Sequence, residues 1–193
     1  MALLSKNAQS AVAGSPGGYL NPSKIPAGTS VRFALLSDEP VEYYECWGEG
    51  LDGKAKPFRF VAEPTSEEIA TEMGDFTRRL NREGTAPEPV KFAIALPIFN
   101  YEQQEVQVLN LTQKSIIREL DGISQTEDYD DITATDFTLG KEGSGLNTEY
   151  KLLPVPRKKG ADTVIAAAWT EAQAAGFDLR RLLTGGNPFK PEA

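Results

Sequence analysis

The stretch from Pro89 to Asn100 constrains the fold more than any other. Phe92, Ile94, Leu96 and Ile98 fall on one side of it, and Lys91, Ala93, Ala95, Pro97 and Phe99 on the other. This is the two-residue period of a β-strand. Asn100 to Gln104 supplies a turn, and Val106 and Val108 carry a second arm to Leu111. A long antiparallel hairpin therefore sits in the middle of the chain, and the rest is expected to be β-rich around it.

Upstream, Val31–Leu36 and Val41–Trp47 read as strands separated by a turn at Asp38, Glu39 and Pro40, and Phe58–Val61 reads as a short third strand. Thr65 and Glu68 form a capping-box signature, and Ile69, Met73, Phe76 and Leu80 recur at helical spacing, predicting an inserted helix over 65–81 that ends at Glu83-Gly84. Downstream, a short helix is expected over 113–121 with Gly122 as its C-cap. A last hairpin follows, with arms 132–139 and 148–155 and a tip at Gly140, Gly143, Ser144 and Gly145. An alanine-rich helix over 162–175 stops at Gly176, and Asp178 caps a further short helix through Leu183. The first eighteen residues, rich in Ala, Ser, Gly and Pro, read as a flexible arm. The expected organisation is an arm (1–18), a β-rich domain (19–159) and a C-terminal helical extension (160–193). The order of elements matches an OB-fold, a five-stranded Greek-key barrel, decorated with added helices (α+β).

Histidine is absent and Cys46 is the one cysteine. These facts remove Ser-His-Asp and Cys-His nucleophile pairs, an intrachain disulfide and the usual zinc ligand sets. The acidic run Asp128, Asp130 and Asp131 lacks the glycine and terminal glutamate of a calcium loop. Gly140–Gly145 lacks the Gly-Lys-Ser/Thr ending of a phosphate loop. The expectation is a non-enzymatic protein without cofactor or metal. No apolar run approaches the length of a membrane span or a secretory signal, so a cytoplasmic protein is expected.

Aromatic and basic residues interleave in the first half of the chain. Tyr44 and Trp47 are followed by Lys54, Lys56, Arg59 and Phe60, and Lys91, Phe99 and Tyr101 lie on the long hairpin. Single-strand binders use this combination, with rings that stack on bases and cations that track phosphates. Arg59, between two core-type phenylalanines, is expected to point outward. Arg78, Arg79 and Arg82, at the end of the inserted helix, are accounted for by its dipole. The formal net charge of −8 opposes phosphate binding overall, so any such site depends on how the charges are distributed.

Several stretches resemble the phage-type OB-fold single-stranded DNA-binding proteins. They are Tyr19-Leu20-Asn21-Pro22-Ser23-Lys24 with Ser30-Val31-Arg32-Phe33; Trp47 with Asp52-Gly53-Lys54 and Lys56-Pro57-Phe58-Arg59; Lys91-Phe92 through Asn100-Tyr101 to Leu111-Thr112-Gln113-Lys114-Ser115-Ile116; and Tyr129 with Asp131-Ile132, Gly140–Gly145 and Thr148-Glu149-Tyr150. The Leu-Thr-Gln-Lys-Ser-Ile stretch is the most specific. The resemblance spans about 19–157. It implies binding of single strands with little sequence preference, in DNA replication, recombination or repair, and a DNA-facing surface that includes Arg32, Trp47, Lys56, Arg59 and Lys91. Some relatives carry a Cys-rich zinc element after the Trp, where this chain has its expected helix at 65–81. Replication or recombination proteins are candidate partners of the C-terminal region.

A different reading is an OB-fold protein-interaction module. Asp38, Glu39, Glu42, Glu45, Glu49 and Asp52 flank or lie on the second strand, and with the C-terminal helix they would supply a surface for a protein partner.

Overall fold

The computed structural model describes residues 18–190. The expected N-terminal arm lies almost wholly outside them. The architecture is mixed α+β: one nine-stranded sheet and, among the described residues, three α-helices joined by 3-10 turns. The strands are β1 (Tyr19–Leu20), β2 (Thr29–Leu35), β3 (Val41–Glu49), β4 (Ala55–Phe60), β5 (Thr77–Arg78), β6 (Lys91–Asn100), β7 (Glu105–Leu111), β8 (Asp136–Glu142) and β9 (Glu149–Val155). The helices are α1 (Ser66–Met73), α2 (Lys114–Ser124) and α3 (Ala161–Ala174).

The main path of the sheet runs β1-β7-β6-β2-β8-β9, and β3 branches from β6 to carry β4 and β5. Both β2 and β3 run antiparallel to β6, pairing Leu35 with Ile98 and Val41 with Ala95, so together they form one long strand interrupted at Leu36–Pro40. The sheet does not close: no ladder joins β7 to β9 among the described residues. Helix α2 packs against both strands in that gap. Ile116 and Leu120 enter the core there, and the Glu119 carboxylate accepts the Leu152 amide of β9 at 2.9 Å. A closed five-stranded barrel is thus not what forms, because a helix fills the place of the last strand pairing.

The alternation read from Lys91 to Asn100 is correct, yet from Ala93 onward both sides are buried. Ile94, Leu96 and Ile98 join Phe33, Phe137, Leu139 and Leu152 in the largest core cluster. Phe33 stacks on Phe137 with centroids 5.8 Å apart. Each such buried ring contributes roughly 1.5–3 kcal/mol through burial. The opposite side is covered by the C-terminal extension. Ala34 and Phe99 receive Ala161 and Ile165 of α3, while Tyr43, Ala93, Ala95 and Val108 receive Leu179 and Leu182 of the 3-10 segment Leu179–Thr184. Asp178 caps that segment through the Arg180 amide.

Three expected boundaries move. The capping box of Thr65 and Glu68 forms, but the helix expected to reach 81 stops at Gly74, whose φ of 52° favours glycine. Phe76 then sits outside the helix and packs edge-on against Phe58 at 5.4 Å, and Leu80 is exposed. Arg78 and Arg79 therefore do not answer a helix dipole: Arg78 lies in β5 and donates to the Glu88 carbonyl at 2.8 Å. Gly122 lies inside α2, which runs on to Ser124, and Gly140 lies inside β8, so the last hairpin turns at 143–148.

Candidate nucleic-acid interface

The outward side of β3, β6 and β7 extends beyond the edge of the C-terminal cover. The β3–β6 register sets Glu45 opposite Lys91, and the β3–β4 register sets Glu45 opposite Arg59. Trp47 follows two residues along the same side of β3. The Arg79 amide donates to the Trp47 carbonyl at 2.8 Å and brings that side chain alongside. On β7, Asn110 shares this side and accepts the Tyr43 hydroxyl at 2.7 Å. The turn at Asn21–Lys24 and the β7–α2 junction at Thr112-Gln113 complete the walls.

These elements enclose a polar groove of about 400 Å³. One ring, Trp47, lies in it half-buried, with its indole N–H donated to Glu45 at 3.1 Å. Three cations line it: Lys24, Arg79 and Lys91. Glu88 lies between Lys91 and Arg79, pairing closely with the first and at 4.0 Å with the second. Glu45, the other carboxylate, is neutralised by Arg59 at 3.0 Å. With Glu45 paired to Arg59, the three cations share one carboxylate, Glu88, which leaves an excess of formal positive charge in the groove of an acidic chain. Local charge of this sign can differ from the net charge of the chain.

Of the residues expected to bind nucleic acid, Trp47 and Lys91 meet in this groove. The others do not. Arg59 is turned in rather than out: it donates to Glu45 and to the Leu182 carbonyl and covers the Tyr43 ring at 5.3 Å. Its position opposite the two phenylalanines is as expected, but the C-terminal segment caps that side. Phe99 is 1% exposed beneath α3 and is core. Arg32 and Tyr101 belong to an ionic knot around Asp136, which is fully buried. Asp136 accepts Arg32 at 2.7 Å and the Tyr101 hydroxyl at 2.9 Å, and pairs with Arg157 at 2.7 Å. Burial, then the bond to Asp136, pushes the Tyr101 phenol far above its usual range.

Tyr44 and Phe60 lie on the other side of the sheet. Tyr44 meets Phe92 edge-on at 5.4 Å, and Phe60 packs near Phe58, Ile69 and Met73. Lys56 covers the Phe58 ring at 5.0 Å. Lys54 projects from the β3–β4 turn, 85% exposed, beside Asp52. Sequence reasoning did not select Lys24, Asn110 or Gln113, and it assigned Arg79 to a helix end. A signal for three of the four was present, since Lys24, Asn110 and Gln113 fall in or beside the family-resembling stretches.

Among the described residues, no helix is long and apolar enough to cross a membrane. Comparisons with protein-family models, curated proteins and solved structures find no match.

Proposed function

We propose that this chain binds single-stranded DNA with little sequence preference, in the groove around Trp47, and that its sheet is an OB-fold left open at one seam. The order β7-β6-β2-β8-β9, with a helix between β7 and β8, is the OB order of five strands once β2 and β3 are counted as one. In that fold, oligonucleotides lie across the second and third strands and the loop joining the first two. Here those parts are β6, β7 and the segment between β3 and β6, which supply Lys91, Asn110 and Arg79 to the groove.

The observation that carries the reading is convergence. Asn21–Lys24, Trp47, Lys91 and Thr112-Gln113 are far apart in sequence, belong to the stretches that resemble the single-strand binders, and line one groove. A ring for stacking and cations for phosphate are the parts such a site requires. The role is protection or organisation of single strands, without catalysis.

The test is fluorescence anisotropy of a labelled thymine oligonucleotide at two salt concentrations, beside a matched duplex. Binding that prefers the single strand, weakens with salt and falls in Lys24→Ala and Lys91→Ala supports the reading. Absence of binding at low salt refutes it.

A further inference from the structure

A second groove, of about 420 Å³, lies between β6, α2, the 3-10 turn Ile132–Ala134 and the stretch around Asp38–Glu42 where β2 gives way to β3. Its floor is apolar, made by Phe92, Ile94 and Leu96 of β6, Ile117 and Leu120 of α2, and Ile132. Phe92, Ile117 and Ile132 are only partly buried, so the core surface continues into the groove. The rim is acidic: Asp38 and Glu42 stand on one side, Asp121 and Asp130 on the other, with Arg118 the one cation. Among the described residues, none of these four carboxylates lies within ion-pair distance of a Lys or Arg.

We propose that this groove docks a basic amphipathic segment of a partner protein, with apolar side chains on the floor and Lys or Arg side chains on the rim. An amphipathic helix lays its apolar face into a groove of this kind. Complementary charge then sets orientation and excludes wrong partners. A nucleic acid would meet a net charge of the wrong sign here. The groove on the far side of β4, near Glu67 and Glu72, is acidic too. Its lining is less apolar, and Glu68 there is engaged with Thr65. This inference does not rest on the DNA reading, because the two grooves share no residue.

The experiment uses the full chain and a labelled peptide, LKKLLKKLLKK, with SKKSSKKSSKK as the control lacking apolar side chains. The leucine peptide should bind by anisotropy and the serine peptide at least about tenfold more weakly, the discrimination expected when apolar anchors are lost. Asp38→Lys combined with Asp121→Lys should weaken the leucine peptide by about tenfold. Glu67→Lys combined with Glu72→Lys should leave its affinity within twofold. Thermal unfolding of the same variants followed by circular dichroism reports on an intact fold, and oligonucleotide binding reports on the DNA reading separately. Failure of the leucine peptide to bind, equal binding of both peptides, or an equal effect of the two double reversals would overturn the proposal.

Discussion

Arg59 and Glu45 face each other across the β3–β4 ladder at 3.0 Å, with side chains only 12% and 6% exposed. Removing one partner of such a pair leaves an uncompensated buried charge. Arg59→Ala should therefore cost about 3–5 kcal/mol in urea unfolding. It also removes the bond to the Leu182 carbonyl, which ties the C-terminal segment to the sheet. A double change to Glu45→Leu and Arg59→Met should recover much of the loss. A single variant that unfolds at the native midpoint would show the pair to be dispensable.

Trp47 is the ring of the proposed DNA groove. Trp47→Ala should weaken oligonucleotide binding by about 1–3 kcal/mol, and Trp47→Phe by less, since stacking needs a π-face rather than an indole. The indole N–H bond to Glu45 makes an unfolding control necessary for both variants. Equal affinity of the Ala and wild-type proteins would remove Trp47 from the interface.

Lys91 is the cation of the proposed groove whose removal bears most directly on salt dependence. If it holds one phosphate, Lys91→Ala should reduce the log–log salt slope of binding by about 0.7. Lys54→Ala, outside the groove, should leave the slope unchanged. The two slopes are read from the same titrations at several salt concentrations.

The capping box makes α1 pH-sensitive. Hydrogen bonds from the Thr65 amide and hydroxyl hold the Glu68 carboxyl below its usual range. A carboxyl depressed in the folded state stabilises it fully above the ordinary carboxylate range, and that stabilisation is lost as pH falls through the folded value. Thr65→Ala should therefore be less stable than wild type at neutral pH, with the gap narrowing in acid. An NMR titration should show Glu68 rising only part of the way to the ordinary range in the variant, because the backbone amide at position 65 still donates to it.

Gly143 turns the last hairpin with φ of 69°, and a Cβ there would stand 2.0 Å from the Asn147 carbonyl oxygen. Gly143→Ala should destabilise by at least the roughly 1–2 kcal/mol of left-handed strain. A thermal midpoint equal to wild type would mean that the turn rearranges freely.

The two-residue and helical periods made the central hairpin, the capping box, α2, α3 and the Asp178 cap legible in the sequence. They also assigned Arg59 and Phe99 to the correct side of their strands. They did not reveal that residues 161–189, distant in sequence, cover that side, so exposure was misjudged where alternation was right. Helical spacing through Phe76 and Leu80 hid the stop at Gly74, because apolar residues past the stop pack or protrude on their own terms. The groove itself was legible only as scattered motifs. What joins Lys24, Trp47, Arg79 and Gln113 is strand register and turn placement, which no local pattern encodes.

The bond from the Leu152 amide to Glu119 has a further consequence. An open sheet ends in unpaired amides and carbonyls, which offer a template to the strand of any neighbouring chain. By lying in the seam and taking one of those donors, α2 both seals the core and withholds part of the β9 edge from foreign strands. A helix and one carboxylate thus cover, at this one edge, what a closed barrel covers by strand pairing.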